Sequence, residues 1–240
     1  MRAFDVELEW GAGGVEALAG SVDHLVLIDV LSFTTCVDVA LEQGASVLPW
    51  RWHNPTAEAY ARERGARLAQ RRETAGEGGL SLSPGSLRTL QAGESVVLPS
   101  PNGATLSVLA RGHSSVWAGC LRNASALARE LARQGGRVGL VPAGERWSDG
   151  SLRPALEDLL GAGAIATRLR GELAPEAQAA KAAFNTLRGG LERHLFACPS
   201  GRELEARGWA SDVVESAAVD ASSQLCRLVG DGYVNPGSAV

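Results

Sequence analysis

The sequence predicts a three-layer α/β/α fold with a largely parallel, mixed sheet. Three observations support this prediction. Short apolar runs alternate with segments of helical periodicity along most of the chain, as in proteins built from βα units. The run LVLID at 25–29 is almost continuously apolar, which indicates a strand covered on both faces. Residues 4–10 instead alternate apolar and acidic side chains, which indicates a half-buried strand, antiparallel or at the sheet edge.

The remaining elements follow from their local patterns. After the strand at 25–29, helical spacing over 34–43 ends before a glycine suited to a helix C terminus. Residues 71–93 are rich in Gly, Ser and Arg and are expected to form a long loop. Beyond residue 175 we expect a mainly helical tail with a short strand near 225–229. Further strands are predicted at 46–50, 66–69, 95–99, 115–119 and 137–141, and further helices at 55–64, 104–111, 124–133 and 154–170.

Length and composition fit one globular domain. The 240 residues are 45% hydrophobic and 21% charged, so we treat 1–240 as a single domain, in which a sub-boundary would fall at 171–175. A net charge of −4 gives no reason to expect nucleic acid or an anionic membrane as a partner. Because the N-terminal segment does not resemble a targeting peptide, and no apolar run of about 18 residues occurs, we expect a cytoplasmic protein. The sequence leaves a homo-oligomer open.

Several common sites are excluded by spacing. The four cysteines and four histidines are scattered, which argues against zinc and indicates reduced, mostly buried thiols. Residues 161–166 match a dinucleotide-binding glycine pattern, but they lie inside a predicted helix, so we expect the glycines to allow close packing instead. Lys181 is the only lysine. Any anion must therefore be held by arginine, by backbone N–H groups or by a metal.

Polar segments follow four of the predicted strands. Because the carboxyl ends of parallel strands meet at one edge of a sheet, we expect these segments to lie close together and to hold a ligand. They are 29–35, 99–103, 119–123 and 143–151.

Some of these segments lead into helices, whose N termini suit a phosphate or a carboxylate. For each polar residue taken alone, the alternative is an ordinary helix N-cap. The residues concerned are Ser32, Asn102, Asn123 and Ser151. Capping does not explain why Asp29, Arg122 and the pair Glu145-Arg146 occur at the same predicted edge.

Two adjacent acids, Glu157 and Asp158, begin the leucine-rich helix at 154–170. At 100° per residue Asp158 shares a stripe with apolar residues, whereas Glu157 faces a more open side and is expected to matter less. A buried carboxylate needs a partner. An arginine could serve, as could a Mg²⁺ ion bridged to Asp29, since Mg²⁺ takes carboxylate, water and phosphate oxygens. The alternative is a first-turn acid that favours the helix dipole.

Five segments of the chain form a recognisable series: IDVLSFTTCVDVALEQGA, SPNGATL, AGCLRNASALA, AGERWSDGSLRPALEDLLGAGAI and SGRELEARGWASDV. In these segments, which occur in the family's order from about Asp29 to Gly232, the chain resembles the 2-phosphosulfolactate phosphatase family. The resemblance implies an α/β/α fold and a Mg²⁺-dependent hydrolase that releases phosphate from 2-phosphosulfolactate, a step towards coenzyme M.

The resemblance also implies roles for single residues. Asp29 matches the aspartate of the family's D-V-L-R-A-S-T-T segment, and Asp158 matches the second acid of an E-D pair. We therefore expect both to bind Mg²⁺ and to be catalytic. Asn102 matches the asparagine of the family's T-N-G-T loop, and Asn123 matches the asparagine after its third strand. We expect both to be catalytic as well. Substrate or phosphate binding is expected of Thr34, Thr35, Gly103, Arg122 and Arg146.

One departure from the family affects the substrate end. Ser32 stands where the family segment has arginine, and serine does not replace an always-charged bidentate donor. A nearby arginine, namely Arg72, Arg122 or Arg146, could fill the vacancy. We expect a Mg²⁺-dependent phosphatase acting on a small phosphorylated acid, with 2-phosphosulfolactate as the first candidate. A catalytically silent anion-binding protein and a metal-dependent hydrolase of another small acid are the alternatives, and the nucleophile, water or an aspartate, stays open.

Overall fold

The structure is a computed structural model that describes residues 4–52, 55–76, 78–113 and 115–237. Within these ranges a nine-stranded sheet contains β1 (Val6–Leu8), β2 (His24–Ile28), β3 (Ser46–Trp50), β4 (Arg67–Leu68), β5 (Ser95–Pro99), β6 (Ser115–Gly119), β7 (Val138–Pro142), β10 (Cys226–Val229) and β11 (Gly232–Val234). A separate hairpin is formed by β8 (Glu145–Arg146) and β9 (Leu152–Arg153).

Helices cover this sheet. They are α1 (Gly11–Leu18), α2 (Phe33–Glu42), α3 (Pro55–Glu63), α4 (Pro84–Leu87), α5 (Gly103–Leu109), α6 (Ala124–Gln134), α7 (Leu156–Ala166), α8 (Pro175–Leu187), α9 (Leu191–Ala197), α10 (Pro199–Ala206) and α11 (Ala210–Ala217). None of the helices in the described ranges combines the length and the apolar character that crossing a membrane requires.

The strand order is β1-β7-β2-β6-β10-β11-β3-β5-β4. Strands β10 and β11 form a C-terminal hairpin in the middle of this order. The hairpin pair β10–β11 and its pairs with the neighbouring strands, β6–β10 and β11–β3, are antiparallel, and all other pairs in this sheet are parallel. Because three reversals separate the two parallel halves, the strands of the β3 half run opposite to those of the β2 half. The prediction of a largely parallel, mixed sheet is confirmed, but the strands do not all end at one edge.

Buried side chains lie on both faces of the sheet. Val26 and Ile28 of β2 belong to a core cluster that includes residues of α6, α7 and α8. Leu25 and Leu27 belong to a second cluster, which includes residues of α1 and α5. Since successive side chains of a strand point to opposite faces, helices cover the sheet on both sides. The predicted three-layer α/β/α arrangement is confirmed.

The differences from the predicted elements have local causes. β1 lies at the sheet edge as expected, and it pairs in parallel with β7. The predicted helix at 154–170 is shorter at both ends, since α7 covers Leu156–Ala166, and it follows closely on the hairpin strand β9. The expected loop at 71–93 contains the four-residue α4. The two-residue strands β8 and β9 and the glycine-rich α1 carry too little periodicity to be predicted from sequence, whereas β4 lies within the predicted strand at 66–69.

The glycine pattern at 161–166 serves helix packing. Gly163 lies in α7, and a Cβ added there would collide with the carbonyl oxygen of Ala180 in α8 and crowd the side chain of Phe184. The Cβ of an alanine at Gly161 would lie 2.7 Å from Val30. The absence of side chains therefore allows α7 to approach both α8 and the loop after β2, as the sequence analysis expected.

Gly163→Ala should lower the free energy of unfolding by about 1–3 kcal/mol, because α8 must move to admit the methyl group. Urea unfolding followed by circular dichroism measures this effect. Gly13→Ala is the control, since Gly13 is exposed in α1 and an added Cβ would meet nothing within 4 Å. It should be neutral or stabilise by up to about 1 kcal/mol. Unchanged stability of Gly163→Ala would contradict the close α7–α8 packing.

Candidate active site

Asp29 follows β2 and is held from two directions. Its Oδ2 accepts the backbone N–H of Gly103 at 2.7 Å, and its Oδ1 accepts that of Phe33 at 3.3 Å. The Gly103 bond links the end of β2 to the start of α5, although β5, which precedes α5, belongs to the oppositely directed half of the sheet. The predicted proximity of Asp29 and the segment 99–103 is therefore present through a direct hydrogen bond.

The two threonines of this loop bond to its backbone. The Thr34 hydroxyl donates to the Asp29 carbonyl at 2.8 Å and accepts from the Asp29 N–H at 3.0 Å. The Thr35 hydroxyl donates to the Val30 carbonyl at 2.8 Å. Both threonines are fully buried. Their hydroxyls fix the shape of the loop that carries Asp29, and the substrate-binding role assigned to them stays a prediction.

Asp158 lies in the first turn of α7 and is buried. Its Oδ1 accepts the N–H of Val30 and its Oδ2 accepts the N–H of Gly144, both at 2.8 Å. The inward orientation that helical geometry predicted is present. Its observed protein partners are two backbone N–H groups. One carboxylate thereby joins the loop after β2 to the loop after β7.

The predicted open position of Glu157 is wrong. Its side chain is only 2% exposed, and its Oε2 has no hydrogen-bond partner in the described part of the chain. Burial first, and then the negative charge of Glu157, raises the pKa of the Cys198 thiol to about 12. Glu157 therefore lies beside the start of α10. The helical tail covers this side of α7, and the pattern of α7 alone could not show that contact.

Glu145 is a fourth carboxylate at the site, and the sequence predicts no separate role for it. Its Oε2 accepts a hydrogen bond from Asn102 Nδ2 at 2.9 Å, which connects the hairpin strand β8 with the loop before α5. Burial, followed by the negative charge of Asp29, raises the pKa of Glu145 to about 7. In the sequence, the position of Glu145 after a predicted strand and before the Glu157-Asp158 pair is the feature that points to a place at the site.

Asp29, Glu145, Glu157 and Asp158 form a carboxylate cluster whose charges repel one another. The pKa of Asp29 is raised to about 6, mainly by burial and to a smaller extent by the negative charge of Glu157. Burial, then Asp29 and Glu157, raises the pKa of Asp158 well above its usual range. Arg72 opposes the shift at Asp29 only weakly. Such a cluster would be stabilised by a bound cation.

The donor set is chemically suited to Mg²⁺. In the described residues no three or more His, Cys, Asp or Glu side chains converge as a ready metal site. A cation held here would thus take one or two carboxylates and complete its shell with water and substrate oxygens, which is the usual mode for Mg²⁺. Asp29 and Asp158 are the best-oriented candidates, since backbone N–H groups fix both carboxylates.

Capping does not account for the polar residues at the helix starts. Ser32, Asn102 and Asn123 occupy the N-cap positions of α2, α5 and α6, yet none of them makes a side-chain capping bond. Ser151 is not a cap, because Ala155 precedes α7. Asn123 instead accepts the Cys120 N–H at 2.9 Å and so shapes the loop after β6.

Arg122 is buried among acids. Its three guanidinium nitrogens donate to Asp38, Glu42 and Glu215. These bonds give Arg122 a structural explanation, and its expected phosphate contact stays a prediction. Arg146 is exposed in β8 and lines a pocket of about 160 Å³ together with Asn102 and Glu145.

The thiol in the loop after β6 is unsuited to catalysis. Cys120 is fully buried, and burial raises the pKa of its thiol far above the ordinary value. A nucleophilic cysteine needs the thiolate form. This agrees with the sequence-based view that the cysteines are buried, reduced residues.

The family model described as 2-phosphosulpholactate phosphatase matches residues 16–231. The chain belongs to this family. A curated protein of Gloeobacter violaceus, named a probable 2-phosphosulfolactate phosphatase, is 30% identical over 228 residues, which cover 92% of this chain and 94% of that protein. The resemblance found in the sequence is confirmed, and the protein is a phosphoric monoester hydrolase by family. The matched range includes the whole carboxylate cluster of this phosphatase.

Gly103→Ala should impair the phosphatase by displacing Asp29. An added Cβ would lie 2.5 Å from the buried ring of Phe33 and 2.7 Å from Asp29 Oδ2. Because a misplacement of about 1 Å can cost roughly hundredfold in rate, we expect a loss of that order in phosphate release from a phosphomonoester. Gly20→Ala is the control, since Gly20 is exposed and an added Cβ there would meet nothing within 4 Å. Wild-type activity of Gly103→Ala would disprove this contact.

Proposed function

We propose that this phosphatase hydrolyses 2-phosphosulfolactate to sulfolactate and phosphate in a Mg²⁺-dependent reaction, a step towards coenzyme M. The observation that carries the metal dependence is the buried carboxylate cluster, in which the pKa values of Asp29 and Asp158 are raised by burial and by the negative charges that lie close together. The substrate is supported by the family of the chain and by the name of the Gloeobacter violaceus relative.

Asp29 and Asp158 would hold the metal. Each carboxylate oxygen accepts one backbone N–H and retains a lone pair for a cation. The backbone bonds orient both carboxylates before the metal arrives, which improves affinity. When bound, Mg²⁺ polarises a phosphoryl oxygen and lowers the pKa of a water ligand.

Asn102 and Arg146 would orient the phosphoryl group. Both line the pocket of about 160 Å³ beside Glu145, and both carry N–H donors suited to phosphate oxygens. Asn123, Thr34 and Thr35 would act as positioning residues, because their observed bonds shape the loops that carry the site.

Glu145 would move the proton. It lies at the same pocket, and its pKa of about 7 is matched to transfer near neutral pH. In its ionised form it would accept a proton from the attacking water and give it to the sulfolactate oxygen as the bond between that oxygen and phosphorus breaks. Its bond to Asn102 fixes its orientation.

Asp29→Asn and Asp158→Asn should each abolish Mg²⁺-stimulated phosphate release, because an amide is a poorer ligand for a hard cation. The test compares turnover of 2-phosphosulfolactate with Mg²⁺ and with EDTA, while circular dichroism monitors the fold. Asp149→Asn is the matched control, since Asp149 is exposed in the β8–β9 turn. Full activity in both site variants, or in EDTA, would refute the metal assignment.

Glu145→Gln should lower kcat and remove a pH dependence. If Glu145 acts as a base, wild-type kcat rises as pH increases through its folded pKa, since only the ionised form accepts a proton. A bound cation favours that ionised form, so the midpoint should lie at or below about 7. The Glu145→Gln variant, measured across the neutral pH range with saturating Mg²⁺, should not show this rise of kcat with pH. If the rise is still present in the variant, another group is responsible for it.

A further inference from the structure

Arg72 presents an oriented guanidinium close to the proposed active site. It follows β4, and its side chain is 14% exposed. Its Nε donates to Asp212 Oδ2 at 3.0 Å, and its Nη2 donates to Ser32 Oγ at 2.6 Å. The group also lies over the ring of Trp209 at 5.2 Å. In the described part of the chain Nη1 donates to no protein atom, so one edge of the guanidinium is available to a ligand.

The partners of Arg72 determine where that edge lies. Asp212 is buried and also accepts the Ser83 hydroxyl at 2.5 Å, which fixes the carboxylate that orients the guanidinium. Ser32 belongs to the loop that carries Asp29, and the positive charge of Arg72 acts on the Asp29 carboxyl. Arg72 therefore stands next to the carboxylate cluster without belonging to it.

Arg72 also lines a cavity of about 240 Å³. Trp52, Pro101 and Trp209 supply apolar walls, and Arg71 adds a second positive charge. Arg207 also lines the cavity, where it pairs with the two acids of the lining, Glu73 and Glu203. Pro101 borders both this cavity and the smaller pocket that contains Asn102 and Glu145. The cavity that Arg72 lines therefore adjoins the pocket that contains Glu145.

We propose that Arg72 binds the sulfonate, one of the two acidic groups of the substrate that are not transferred, and thereby determines the preference for phosphoesters that carry a strong acid. This proposal rests on the proposed function. In the family segment that this chain resembles, position 32 is arginine. In this protein a guanidinium comes from residue 72 and contacts Ser32 instead. Apolar walls around the ion pair would strengthen it, because they reduce screening by water.

The test measures KM and kcat of wild type and Arg72→Ala on three substrates. They are 2-phosphosulfolactate, 2-phospholactate, which lacks the sulfonate, and p-nitrophenyl phosphate, which lacks both acidic groups. Loss of a charge-assisted bond should raise KM for 2-phosphosulfolactate about tenfold or more. KM for p-nitrophenyl phosphate should not change, and kcat should change little for all three.

Four further variants separate binding from folding. Arg72→Lys retains the charge but loses the planar fork, so it should give an intermediate KM. Arg133→Ala removes an exposed arginine of α6 and should leave all constants unchanged. Ser32→Arg should crowd the wild-type site and lower activity on the three substrates. In the Arg72→Ala background the same substitution should restore part of the affinity for 2-phosphosulfolactate.

Calorimetry with sulfolactate tests the proposal without turnover. Wild type should bind sulfolactate in the presence of phosphate and Mg²⁺, and Arg72→Ala should bind it more weakly by about tenfold or more. Equal affinity of the two proteins, no binding by wild type, or an equal loss of activity on all three substrates would overturn the proposal. Failure of wild type to hydrolyse any phosphoester would instead overturn the proposed function.

Discussion

The carboxylate of Asp158 holds the candidate site together. It accepts the backbone N–H groups of Val30 and Gly144 at 2.8 Å, and so ties the first turn of α7 to the loops after β2 and β7. Asp29 is connected in the same way to the start of α5 through Gly103. Four segments of the chain, the loops after β2 and β7 and the first turns of α5 and α7, therefore meet at two carboxylates.

This arrangement has an electrostatic cost. Asp29, Glu145, Glu157 and Asp158 are brought together with limited solvent, and burial together with mutual repulsion raises the pKa of Asp29, Glu145 and Asp158. A cation would relieve this repulsion, and Asp29 and Asp158 are the residues that would hold it, because backbone N–H groups orient both carboxylates.

Arginines around the site divide into two kinds. Arg122 is enclosed by Asp38, Glu42 and Glu215, which use all three of its nitrogens and explain its burial. Arg72 is oriented by one acid and retains an open edge towards a cavity. Residue type and proximity to a strand end did not distinguish them. The difference depends on how many acids surround each guanidinium, and those acids come from distant helices.

Periodicity within the sequence determined the α/β/α class, most strands and the inward side of Asp158, because these depend on patterns within one element. Motif order also indicated the family. The reversal between the two halves of the sheet required the tertiary structure, since it depends on where the hairpin β10–β11 is inserted. The burial of Glu157 and the contact of Arg72 with Ser32 were likewise decided by packing between segments that are distant in sequence, which local patterns do not encode.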